Sequence, residues 1–220
     1  MYLYDLKDVL DFLSDLALNN ERTWFEEHRV AFEKARLTFE KLVDELIRRL
    51  SAFEDTTGVT ARDSVFRIYR DIRFSKDKTP YKTWMAALIA AGGKKSGRYG
   101  YGLHVGPNDT MAAGGLWDPR PEQLALFRRA IDRDARAFFD LIEAPEFVRT
   151  FGGLKGEKLK GAPRGYAKDH PAVEFLKFKE VYVARSFPDQ AVIADDFVDQ
   201  LAGAFRVMKP FLDYLNAAAS

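Results

Sequence analysis

The 220-residue sequence contains no cysteine. That excludes disulfides, thiolate nucleophiles, cysteine-ligated zinc, iron–sulfur clusters and persulfide chemistry together. Histidine is scarce too, at three residues. His28, His104 and His170 form no paired His/Asp/Glu spacing, so neither a metal nor a cofactor is expected. No G-x-S-x-G elbow marks a hydrolase serine. No apolar run approaches the roughly 18–20 residues of a membrane span. No charged-then-apolar leader with a small-residue cleavage site opens the sequence. A soluble cytoplasmic protein without a membrane partner is the expectation. Net charge is nearly absent, +1 from 34 Lys and Arg against 33 Asp and Glu, and there is no internal repeat or linker.

What is present is aromatic. Eighteen Phe, nine Tyr and three Trp within 47% hydrophobic residues predict a large packed core. The near-neutral total hides segregation. Residues 1–55 carry 8 basic and 13 acidic side chains, residues 62–98 carry 10 and 3, and residues 154–169 carry 5 and 2. Two cationic islands therefore lie in a mildly acidic chain. Nonspecific nucleic-acid binders usually show a basic total as well, so local cations fit a compact anion better. Pairing with neighbouring acidic helices is the competing reading.

Apolar periodicity predicts a helix over 5–17 capped by Asp5, with Asn19 stopping it and Asn20 capping the next. A long helix follows over 21–53, burying Phe32, Phe39, Leu42, Leu46 and Leu50 against one sheet face, with His28 on its apolar stripe as a core histidine. Alternation predicts strands at Val65–Phe74, Trp84–Ala91, Tyr99–Val105, Thr110–Trp117 and Glu180–Phe187. Short connections among the first four imply antiparallel pairing. Asp118 with the prolines at 119 and 121 opens a helix. Shorter helices follow over 134–143, 146–151 and 171–177. The closing helix runs from Phe197 to Leu215, kinked or split at Pro210. The expectation is one α+β domain over residues 1–220, with a mainly antiparallel sheet of about five strands packed against helices.

Candidate chemistry concentrates in the islands. On an extended 65–74, Arg70 falls in register with Phe66, Ile68, Ile72 and Phe74, where a guanidinium needs an acceptor. Arg67 and Arg73 flank Asp71 on the other face, either as anion-binding forks or as an internal ion network. Ser75, Lys76, Lys78, Tyr81 and Lys82 extend the pattern into a loop whose amides and ammonium groups suit a phosphate or carboxylate. Gly92 and Gly97 have Walker-loop separation, but Arg98 and Tyr99 replace its Lys and Ser/Thr, so the segment reads as a hairpin tip. Gly100, Gly102 and His104 share one strand face, and Tyr99, Tyr101, Leu103 and Val105 the other. The glycines mark close approach by a ligand or by a packing helix. If that patch is open, His104 is the best acid–base candidate. The long 154–169 loop offers Lys158 and Arg164 and leads to His170, which Asp169 is placed to fix.

The run Phe66-Arg-Ile-Tyr-Arg-Asp-Ile-Arg-Phe-Ser-Lys-Asp-Lys-Thr-Pro-Tyr-Lys82 resembles the signature of a family of conserved bacterial and fungal proteins classed as a domain of unknown function. Asn19-Asn20-Glu-Arg-Thr-Trp24-Phe25, Ala113-Gly-Gly-Leu-Trp117, Lys158-Leu-Lys-Gly-Ala-Pro-Arg-Gly-Tyr166 and Asp169-His170-Pro171 also resemble its motifs. The resemblance covers essentially the whole chain and brings no reaction. It implies function for Arg67, Arg70, Arg73, Lys76, Lys78 and Lys82. The leading expectation is a pocket binding a small anion: a phosphorylated metabolite, nucleotide or carboxylate. Arg67, Arg70, Arg73, Ser75, Lys76, Lys78, Tyr81, Lys82, Tyr101, Lys158 and Arg164 would line it, and His104 or His170 would move a proton if the protein is an enzyme. The alternatives are a nucleic-acid-binding module with tyrosines stacking on bases, and a structural or partner-binding protein whose cations pair internally. The first expectation requires the two islands to converge in space.

Overall fold

Asp5 starts the first helix as its spacing predicts. Its carboxylate accepts from the Lys7 amide and opens α1, Leu6–Leu18, which Asn19 ends. The structure is a computed structural model and describes residues 5–219; residues 1–4 and 220 of the expected domain lie outside the described residues. The long second helix is interrupted. α2 spans Arg22–Glu27 and α3 spans Arg29–Leu50, with His28 between them at φ −104°, ψ 17°. The His28 amide donates to the Trp24 carbonyl, and its ring lies stacked on Trp24 with centroids 4.0 Å apart. His28 is therefore exposed at a helix junction, not a core residue. The break turns Phe25 into an aromatic cluster, 4.0 Å from Tyr81 and 4.9 Å from Phe32. Past the break the expected apolar stripe holds: Phe32, Phe39, Leu42, Leu46 and Leu50 are all buried.

After α4, Ala61–Ser64, come β1, Met85–Ile89, β2, Tyr101–Val105, and β3, Thr110–Leu116. α5, Pro121–Arg133, is capped at Arg120, whose amide donates to the Gln123 side chain; Asp118, the expected cap, sits before it in the left-handed region at φ 46°. α6, Ala135–Ile142, α7, Pro145–Phe151, and α8, Val173–Leu176, lead to β4, Val181–Phe187. α9, Asp189–Val192, precedes α10, Phe197–Ala219, which continues through Pro210 rather than splitting there.

The fold is α+β; among the described residues an open antiparallel sheet has four strands in the order β1-β2-β3-β4, one fewer than expected. The missing strand is Val65–Phe74. Its alternation is real, but its pairing is interrupted. Bridges join Val65 to Ala87 and Tyr69 to Tyr81, so four steps on one side face six on the other. Two extra residues between Tyr81 and Met85 must bulge out, as bulges do at sheet edges. Beyond Arg70, which bonds to the Pro80 carbonyl, the chain leaves the sheet, and Phe74 is 95% exposed.

One sheet face is covered. Met85, Ala87, Ile89, Tyr101, Leu103, Val105, Ala112, Leu116, Val181 and Val183 are buried in the hydrophobic cluster; α3 packs on β1 and α10 on β3. α10 approaches β3 so closely that a Cβ on Gly114 would lie 2.5 Å from Met208 Sδ.

Candidate functional site

The other sheet face is open over its centre, where Ala86, Gly102 and Ala113 present little side chain. The register aligns Leu88, Gly102 and Ala113 in one row across the strands, and Ala86, His104 and Met111 in the next. Above these rows lies a groove of about 710 Å³, walled by Phe66, Trp84, Tyr99 and Trp117 and reached by Lys82, Arg98, His104 and Gln123. Of the glycines on the His104 face, Gly102 floors the groove, with the Ala113 carbonyl 2.9 Å from where its Cβ would lie, and Gly100 is buried against Ile89 and Ala90, so the close approach there is by the chain at the end of β1. Gly115, at φ 146°, lets the end of β3 pass against Val181 and Tyr182 without a side chain, and Trp117 then folds back onto Tyr182, centroids 4.3 Å apart.

The bulge before β1 delivers two of the groove's residues. Lys82, whose amide still bonds the Ile68 carbonyl, leads into it and Trp84 lies within it, and the Lys82 ammonium sits 4.6 Å from the Trp84 ring and 5.8 Å from Phe66. Its one hydrogen bond runs 3.0 Å to the Arg67 carbonyl, and no carboxylate pairs with it among the described residues. Burial and the positive charge of Arg67 push its pKa down. His104 packs on Trp84 with ring centroids 4.7 Å apart. Its Nε2 lies 3.1 Å from Asp109 in the β2–β3 turn, without the alignment of a hydrogen bond. Burial lowers its pKa and the Asp109 carboxylate opposes that shift, the lowering winning.

Lys82 and Trp84 also separate the groove from a polar hollow of about 450 Å³ lined by Asn20, Arg70, Asp71, Asp77, Thr79, Tyr81 and Thr83. There the motif turns inward on itself. Arg70 pairs with Asp77 and reaches the Thr79 hydroxyl and, at 3.5 Å, Ser75. Arg73 grips Asp71 bidentately at 2.9 and 2.7 Å. Asp71 and Asp77 are both held at about 2, Asp71 first by the Arg73 guanidinium and Asp77 first by the Thr79 amide. Lys78 caps the Ile72 carbonyl, and the Arg67 and Lys76 side chains stand exposed. Tyr81 is buried against Phe25. Asn20 caps no helix; its side-chain amide bonds both the N–H and the carbonyl of Tyr81, at 3.1 and 2.9 Å.

The remaining candidates lie elsewhere. Tyr101 points into the covered face, where its hydroxyl donates to Glu54 at 2.8 Å and burial drives its pKa far up. His170 accepts from the Ala172 amide through Nδ1 and meets Asp132, not Asp169, through Nε2. Lys158 lies over Phe178 and 3.8 Å from Glu174, and Arg164 is exposed. The 154–169 loop bridges Lys155 to Tyr182 on β4, whereas the motif segment borders β1. The two islands thus flank opposite edges of the sheet. The groove takes Lys82 and Arg98 from the first island and none of the second.

Phe66, Trp84, Arg98 and Trp117 were not read from the sequence as parts of one site. The signal available was the small residues at alternating positions in three apolar strands, Ala86, Gly102, Ala113 and Gly115, which spare one face from core packing. A family described as conserved hypothetical protein (DUF2461) matches residues 8–214. The chain belongs to this family. No curated protein and no solved structure matches it. The family's description carries no activity.

Proposed function

We propose that the protein binds a small anionic ligand with a flat apolar body in the groove over the open sheet face. The observation that carries this reading is the pairing of a bare Gly/Ala floor with aromatic walls and the basic side chains of Lys82 and Arg98. A volume of about 710 Å³ suits a small organic molecule. The aromatic rings favour a planar body, and the two cations at the walls favour a carboxylate, sulfonate or phosphate. Nucleotides and aromatic carboxylates both meet that description. For Arg70 and Arg73 the ion pairs with Asp77 and Asp71 favour a structural role, shaping the loop that leads into the bulge.

The test uses anilinonaphthalene sulfonate, a flat fluorescent anion. It should bind the native protein, and Ala113→Leu, which fills the floor, should weaken binding by about tenfold or more, roughly 1.4 kcal/mol. Unchanged affinity in an Ala113→Leu variant that melts like the parent would overturn the groove as the site.

A further inference from the structure

Lysine side chains on protein surfaces are protonated, solvated and commonly near a carboxylate. Lys82 is placed differently. It is half-buried, it contacts two aromatic rings, and among the described residues its ammonium bonds only a backbone carbonyl. The charge whose field shifts it is a second cation, the exposed guanidinium of Arg67. Desolvation and a neighbouring positive charge are the two conditions that raise the unprotonated, nucleophilic fraction of a lysine amine. The rings oppose this in part, since aromatic faces attract an ammonium. The net shift of its pKa is still downward. The other lysines of the motif are differently placed: Lys76 is exposed, and Lys78 is exposed with its ammonium on the Ile72 carbonyl.

Resting on the groove as a ligand site, we infer that Lys82 is a carbonyl-reactive amine, and that the ligand class includes an aldehyde or ketone beside its anionic group. The Nζ lone pair adds to the carbonyl carbon while the C=O π pair moves onto oxygen. The proton released from nitrogen passes to that oxygen, giving a carbinolamine. A second proton delivered to the hydroxyl lets it leave as water, and a C=N bond joins Nζ to the ligand. No oxidant or reductant is consumed. His104 packs on the same indole as Lys82 and is the imidazole of the groove. Held toward its neutral form, it can take the proton that leaves Nζ and pass it to the oxygen; the second proton comes from solvent, and the C=N bond forms first as the protonated Schiff base. Arg98, also lining the groove, remains charged to hold the anionic group.

The experiment is reductive trapping with cyanoborohydride near neutral pH, followed by mass-spectrometric mapping of the labelled lysines. Two probes are compared: propanal, which needs no groove, and naphthaldehyde, which does. Propanal should label Lys82 about tenfold faster than Lys76 or Lys78, and the rate at Lys82 should reach half-maximum at a lower pH. Arg67→Gln should slow labelling of Lys82 alone, and Lys82→Arg should remove the fast phase. Naphthaldehyde should enlarge the preference further. If propanal labels Lys82 no faster than Lys76, the amine inference fails, whatever anilinonaphthalene sulfonate does. If propanal selects Lys82 but naphthaldehyde adds nothing, the amine inference stands and the groove reading fails.

Discussion

At the residue scale, His104 and Tyr101 show how far alternation carries. Three residues apart, with Gly102 on the face of His104, they belong to opposite faces of β2, as the sequence pattern implies. The structure puts Tyr101 under α10, beside Phe205, and His104 in the groove. Residue type alone had suggested Tyr101 as a ligand contact; its face in the strand argued against it, and its bond to Glu54 gives it a structural task. His104 allows a sharper statement. Its pKa is lowered from the ordinary 6.5 in the folded state. Above that value both the folded and unfolded imidazoles are neutral, and stability is complete. As pH falls through 6.5 toward the lowered folded value, the unfolded chain takes a proton that the folded one refuses, so stability is lost. His104→Gln should remove this component. Urea unfolding at about pH 7.5 and about pH 5 should therefore show a smaller acid loss in His104→Gln than in the parent. Equal losses would mean that His104 ionises in the fold as it does in the open chain.

At the scale of elements, each helix and strand with uninterrupted periodicity was legible, and errors arose where a partner decides the outcome. The stripe from Phe25 to Leu50 runs on through His28, so nothing in the pattern reveals the junction that seats Phe25 on Tyr81. Val65–Phe74 alternates like a strand, yet the two extra residues on the facing segment interrupt its ladder. Such mismatch belongs to the pair, not to either sequence. The groove is held at both ends by one recurring device. Asn20 bonds both backbone groups of Tyr81, next to Lys82, and Asn216 does the same to Tyr99, at 2.9 and 3.0 Å. Each amide replaces one missing step of a sheet ladder with a matched donor and acceptor. Asn20→Ala leaves both groups of a part-buried Tyr81 unpaired, at a cost of roughly 1–3 kcal/mol each before water intervenes. Amide exchange at Tyr81 and Lys82 should accelerate, and anilinonaphthalene sulfonate should bind more weakly. Asn20→Asp keeps the acceptor and loses the donor, so its effect should be intermediate. Unaltered exchange in Asn20→Ala would show that the bulge is held by Phe25 packing alone.

At the scale of the whole molecule, the charge segregation was legible but its geometry was not. Two basic stretches some sixty residues apart invite the idea of one cationic pocket. The sheet order instead sets them outside β1 and β4, strands that are themselves three inter-strand spacings, or about 14 Å, apart. Some cations of each island find a carboxylate nearby: Arg70 with Asp77 and Arg73 with Asp71 on one side, Lys158 with Glu174 on the other. Self-repulsion is thus relieved in part without an anion between the islands. A polyanion lying across both edges would still feel the two together, whereas a ligand in the groove feels chiefly Lys82 and Arg98. Reversing charge in the second island with Lys160→Glu and Arg164→Glu should therefore leave anilinonaphthalene sulfonate affinity within about twofold of the parent, while Arg98→Glu should weaken it by about tenfold. The same pair of variants separates the nucleic-acid reading. Binding of a single-stranded oligonucleotide that falls steeply with salt, and collapses in Lys160→Glu/Arg164→Glu as much as in Arg98→Glu, would make the two edges one polyanion surface and displace the groove as the principal site.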